Sequence, residues 1–386
     1  MAAGTPLTLA CAREALAAEV SARSSATVQV SKSADANVAI VSCKSYGPAV
    51  KAALKQSFDL LGGIGSLVKN KTVTVKLNLT GTDFSPVFDR PVGESYMTHS
   101  DTAMALAALL FESGARRVRF VESTQSRASL ETSLGFADWD LNALAAMGKV
   151  EFENTRNLGQ SKKYSHLRVP AGGYLFSAFD FNAAYEDTDV MVSLAKLKQH
   201  VTAGVTLSMK NLFGITPNAL YGEQAGNEDA TAGRGPLHGG DSPEEREKFD
   251  KLGLPGLKKS DGGSGEAGYR VPHIIADICG ARPIHLAIID GITSMSGGEG
   301  PWCGGINTLK LTKPGVIITG LNPVSTDAVG TAVMGYPNPR AKRGTHPFET
   351  CDNHLLLAEE AGLGTADLAR IDIRGLAIAK AVYAYG

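Results

Sequence analysis

From Asn37 onward, short β-branched runs alternate with longer stretches of helical spacing, the pattern of strands joined by crossover helices. Strands are predicted over residues 38–43, 72–77, 117–122, 189–194, 285–290 and 315–319. Runs such as VTVKL, VMVSL and LAIID are almost continuously apolar, which suits strands covered on both faces. The fold class this implies is α/β, with a doubly wound, mainly parallel sheet.

Helical spacing predicts helices over 48–60, 101–113, 139–147, 272–279, 325–334 and 352–361, and a further one over 205–213. Ser100 is the expected cap of the second, with Asp101 in its first turn and Gly114 as its stop. One stretch breaks the pattern. Residues 221–268 hold 12 of the 43 glycines, with charges intermixed and few large apolar groups, so a mobile insertion or lid is expected there. The chain then divides into an N-terminal helical segment (1–36), a first part of the α/β core (37–220), the glycine-rich insertion (221–268) and a second part (269–386). That last part leaves a second α/β subdomain open. A length of 386 residues exceeds what one compact core usually holds, which agrees with an insertion or a second unit.

Composition narrows the partners. A net charge of -1 with 20% charged residues gives no bulk attraction to nucleic acid or to a membrane surface. No apolar run approaches the roughly 20 residues of a membrane span. Arg13, Glu14 and Glu19 interrupt the first twenty residues, so no signal peptide is read there. A cytoplasmic location is expected for the chain as it stands, and a periplasmic one if a leader has been removed. Cys11, Cys43, Cys279, Cys303 and Cys351 are scattered, which argues against a zinc site, an iron–sulfur cluster or a disulfide framework.

In open parallel sheets ligands bind beyond the carboxyl ends of the strands, so the residues just past each strand are the place to look for chemistry. Lys76 and Asn78 stand at the end of the second strand, Glu122 at the third, and Lys196, Lys198 and His200 at the fourth. Asp290 ends the fifth; Asn322 and, on the next helix, Asp327 come after the sixth. Strand ends meet solvent and are often polar anyway, but five such ends together suggest one cleft. Lys198 and Lys210, with Lys76, Asn78, Lys196 and Asn211, would form a cationic socket for a carboxylate or phosphate. Gly298 and Gly300 could offer backbone N–H groups to an anion, while Asp290, Glu299, Glu122 and Asp327 could hold a divalent metal. His200 or His99, with Lys198, would move protons.

The segments KLN at 76–78, THSD at 98–101, KLKQHVTAGVTLSMKNLFG at 196–214, IDGITSMSGGEGP at 289–301 and GLNPVSTDAVG at 320–330 resemble the family known as domain of unknown function 362. The likeness runs in order over residues 38–362. It places Lys198, His200, Lys210, Asn211, Asp290, Gly300, Asn322 and Asp327 at the family's motif positions. Several members carry ferredoxin-like cysteine clusters and some have export leaders; this chain has no such cysteines. Two functions are expected: an enzyme acting on a small anion, metal-assisted or not, or a non-catalytic module holding a metal or cofactor for a redox partner.

Overall fold

A computed structural model of the chain describes residues 36–81, 84–239, 244, 247, 267–303 and 308–385. The N-terminal segment expected to be helical and the second half of the expected lid lie outside the described residues. Residues 35–386 form one compact unit.

In chain order the strands are β1 (Asn37–Ser42), β2 (Thr72–Lys76), β3 (Arg117–Glu122), β4 (Val150–Asn154), β5 (Tyr164–Arg168), β6 (Ala178–Asn182) and β7 (Val190–Lys196). Next come β8 (Lys198–His200), β9 (Gly204–Thr206), β10 (Leu286–Gly291), β11 (Ser294–Ser296), β12 (Lys310–Thr312), β13 (Val316–Gly320) and β14 (Asp372–Gly375). Among the described residues, eight of them make one sheet in the order β14-β1-β13-β10-β7-β2-β3-β4. The others pair as the short ribbons β5–β6, β8–β9 and β11–β12. The sheet is mostly parallel; β13 alone runs against its two neighbours, β10 and β1.

Helices cover both faces. Leu54 and Phe58 of the helix Pro48–Leu60, with Leu106 and Leu110 of the helix Ser100–Glu112, pack in one core with Val73, Val75, Val192 and Ile288. On the other face Ile274 and Ile278 of the helix Ala267–Ala281, with Val329 and Val333 of the helix Pro323–Val333, join Met191, Ile289 and Ile318. Met191 and Val192 are neighbours in sequence yet belong to opposite cores, because side chains alternate across a strand. Each fully buried Val, Leu or Ile contributes about 1.5–3 kcal/mol, so these two layers fix the frame on which the strand ends sit.

Three local expectations need correction. The cap of the helix Ser100–Glu112 is His99, not Ser100: its Nδ1 accepts the Asp101 N–H at 3.0 Å. The helix expected over 205–213 begins as strand β9 and becomes helical only at Ser208–Asn211. Pro272 lies inside a helix rather than at its start. Its missing N–H leaves the Gly268 carbonyl open, and the Asp352 N–H fills that place at 2.8 Å.

His354, in the helix His354–Glu360, is fully buried, and among the described residues neither ring nitrogen has a hydrogen-bond partner. Burial, with Lys210 nearby, brings its pKa down to about 3, so the ring is neutral. An unsatisfied buried polar group costs about 1–3 kcal/mol, so His354→Leu is expected to raise stability by about 1 kcal/mol or more. A urea midpoint that falls in this variant would show that the ring makes a polar contact the fold depends on.

Candidate functional site

Beyond the carboxyl ends of β2 and β3 lies a cleft of about 530 Å³. Its floor is a buried ion pair. Lys76 falls between Val75 and Leu77, which both point into the first core, so the pleat turns it to the opposite face. There its Nζ lies 2.5 Å from Glu122 Oε1 and donates to the Leu77 carbonyl at 2.8 Å. Glu122 also accepts the N–H groups of Leu79 (2.8 Å) and Ser123 (2.9 Å). Burial pulls the Lys76 pKa down while Glu122 holds it up, and the two side chains satisfy each other. The backbone passes close by at Gly214, where a Cβ would sit 2.9 Å from the ammonium.

The cations above this floor are not so satisfied. Lys210 is half-buried, with its Nζ 4.6 Å from the centre of the Phe213 ring. It has no hydrogen bond or ion pair among the described residues. Burial, with Arg234 and Lys76 nearby and Glu299 opposing, lowers its pKa to about 8. Arg234 donates to Ser123 Oγ at 2.6 Å and to the Thr216 carbonyl at 2.9 Å, but no carboxylate among the described residues pairs with it. Three cations, Lys76, Lys210 and Arg234, thus line the cleft against two carboxylates, Glu122 and Glu299.

Two histidines line the same cleft, and the backbone fixes their tautomers. His200 Nδ1 accepts the Thr202 N–H at 3.0 Å, so its proton is on Nε2 and that nitrogen is a donor. His238 Nδ1 lies 2.9 Å from the Arg234 carbonyl, which can only accept, so Nδ1 carries the proton and Nε2 keeps its lone pair. Burial lowers both pKa values, with Lys210 adding to the effect, and both rings are neutral at pH 7. Beside His200 stands Glu299, 3.8 Å from Nε2. Burial opposes its charge, but His200, the Val201 N–H at 3.1 Å and Lys210 bring it to about 2. Because the imidazole stays neutral, it is the Val201 N–H and Lys210 that hold this carboxylate ionised.

Lys198 is behind the wall of the cleft. Its fully buried ammonium donates to the carbonyls of Tyr96 (2.6 Å) and Glu299 (2.8 Å). Burial lowers its pKa to about 7, with Glu299 opposing and Lys196 and Lys210 adding to the fall. Asn211 bridges Ser193 Oγ (3.0 Å) and the Lys76 carbonyl (3.3 Å), and Asn78 lines the opening.

The other expected site residues lie elsewhere. Lys196 and Asp290 end adjacent strands on the face opposite Lys76, where they form a separate, closed network. Asp290 accepts from Thr102 Oγ1 (2.9 Å), the Ile292 N–H (3.1 Å) and Tyr46 (3.2 Å), and Lys196 donates to Tyr46 at 2.7 Å. His99 belongs to this group, its ring stacked on Tyr46 at 3.5 Å. Asn322 caps the helix Pro323–Val333 at the far edge of the sheet, because antiparallel β13 ends where its neighbours begin. Both oxygens of Asp327 are used on the N-terminus of the helix Ser208–Asn211, from Ser208 N–H (2.9 Å) and Met209 N–H (2.8 Å). Gly298 and Gly300 make room for Cys303 and Trp302. Of the four expected metal ligands, Glu122 and Glu299 line the cleft while Asp290 and Asp327 lie elsewhere. Among the described residues no three His, Cys, Asp or Glu side chains come together to hold a metal.

Arg234 and His238 were not singled out by the sequence. They sit in the stretch ATAGRGPLHG, whose glycines mask them as part of a lid. Parts of the described half of that segment are packed: Tyr221 and Leu237 are buried, and the Tyr221 hydroxyl accepts the Asp180 N–H at 2.9 Å, while residues 226–229 are exposed.

Comparisons with known proteins place these residues in a wider setting. The family model described as Domain of unknown function (DUF362) matches residues 73–332, a span that includes the cleft from Lys76 to Trp302. A thylakoid-associated protein of Synechocystis sp. is 29% identical over 191 residues, 48% of this chain and 52% of that protein. The chain thus spans about half the length of the curated relative it matches. A crystal structure of a protein from Thermotoga maritima aligns with a TM-score of 0.31 and 13% identity, covering 66% of this chain and 51% of that one. Among the described residues no helix is long and apolar enough to cross a membrane.

Proposed function

The chain belongs to the DUF362 family, and from that premise we propose that its cleft binds a small carboxylate or phosphate and acts on it as an enzyme. The observation that carries this reading is the ammonium of Lys210, half-buried over the Phe213 ring and without a hydrogen bond or ion pair among the described residues. A charge withdrawn from water needs a counter-charge, and a bound anion would supply it. Arg234 would be the second cation on the ligand.

The histidines support chemistry beyond binding. His238 Nε2, with its lone pair facing no described partner, would take a proton; His200 Nε2–H would polarise an oxygen of the ligand as a neutral donor. His200, expected from sequence to move a proton, would act here as the donor. Lys198 and Asp290 would take no part in the chemistry.

Oxalate, whose charge is constant above pH 5, tests the reading directly. Lys210 is charged below about 8 and loses its proton above. Oxalate affinity by titration calorimetry should hold steady from pH 6 to 7 and fall as pH rises past 8. Affinity that is flat to pH 10 would remove Lys210 from the anion site.

A further inference from the structure

We infer that Lys210 is a nucleophile: its amine condenses with the carbonyl carbon of a small oxo acid whose carboxylate is held by Arg234. This rests on the anion-binding reading above and adds a covalent step to it. The geometry points that way because Lys210 differs from every other lysine described around the site. Lys76 is paired with Glu122, Lys198 is fixed to two carbonyls, and Lys196 is locked against Tyr46 and Asp290. Only Lys210 among these reaches the cleft with its nitrogen uncommitted.

The surroundings meet each need of imine formation. An amine must first be free of its proton, and the neighbouring cations Arg234 and Lys76 favour that loss. His238 Nε2, an acceptor on the same cleft, takes a proton from the attacking nitrogen. His200 Nε2–H donates to the carbonyl oxygen as the C–N bond forms and negative charge builds there. The proton held on His238 then goes to that oxygen, giving the carbinolamine; as the nitrogen lone pair closes the C=N bond and the C–O bond breaks, the remaining N–H proton passes through His238 to the departing oxygen, which leaves as water. Amine and carbonyl give imine and water, with no oxidant or reductant.

The test uses the intact protein with glyoxylate and cyanoborohydride, which reduces an imine to a stable secondary amine, followed by peptide mass spectrometry. Lys210 should acquire a carboxymethyl group at least about tenfold faster than the exposed Lys342, because a pKa near 8 leaves more free amine. Oxalate should slow labelling of Lys210 and leave Lys342 unaffected. Labelling of Lys210 no faster than that of Lys342, in a protein that still binds oxalate by calorimetry, would overturn the nucleophile and leave the anion site standing. Failure of both labelling and oxalate binding would remove the two together.

Discussion

Lys210→Met is expected to weaken oxalate binding by about 1.5–3 kcal/mol, the scale of a hydrogen bond to a charged group, while leaving the unliganded protein as stable as before or slightly more so. The methionine keeps most of the stem packing over Phe213 and removes only the charge. Among the described residues that charge has no hydrogen bond or ion pair and stands near Arg234 and Lys76, with Glu299 opposing, so its loss relieves repulsion. The sign agrees with proton linkage: a lysine whose folded pKa is depressed makes the native state more stable as pH rises from about 8 toward the unfolded value of 10.5. Lys198→Met should behave oppositely. That change deletes two buried hydrogen bonds from a charged donor, to the Tyr96 and Glu299 carbonyls, at about 1.5–3 kcal/mol each. Thermal melts and calorimetry on the two variants separate a ligand-binding lysine from a structural one. Equal losses of melting temperature in both would mean that Lys210 supports the fold and that the cleft has no cationic socket.

The contrast between these two lysines shows where the sequence was legible and where it was not. The six predicted strands and most of their flanking helices came within a few residues of their true ends, since apolar runs and 3.6-residue spacing report burial directly, while β4 and β14, which are less buried, went unpredicted. What a strand end delivers depends on two further quantities, parity and direction. Lys76 and Lys196 both end parallel strands, but the pleat sends them to opposite faces, and one joins a cleft while the other joins Tyr46 and Asp290. The reversal of β13 was available in principle: parallel strands need a crossover, commonly a helix, and none was predicted between residues 290 and 315. Instead the chain returns through the ribbon β11–β12, and Asn322 falls at the wrong edge. Three-residue strands such as β8 and β9 are too short for any period. The histidine tautomers depend on single backbone contacts, Thr202 N–H and the Arg234 carbonyl, that no pattern encodes.

The largest loss of stability is expected from Lys76→Met, about 3–5 kcal/mol, because it strands Glu122 as an uncompensated buried charge. The exposure of the two side chains is 2% and 4%, so water cannot take over the missing partner. Glu122 keeps two N–H donors, from Leu79 and Ser123, which soften the loss without neutralising the charge. Adding Glu122→Gln to Lys76→Met removes the charge while keeping an acceptor oxygen for one of the two N–H groups. The double variant should therefore be more stable than Lys76→Met alone, even though Glu122→Gln by itself weakens the wild type by leaving the Lys76 ammonium with the Leu77 carbonyl and a 3.5 Å contact to Asn211. Urea unfolding of the wild type and the three variants at pH 8 measures this coupling. If the losses of the two single variants simply add, the pair does not act as a unit, and the floor of the cleft takes its rigidity from the backbone at Gly214 rather than from the ion pair.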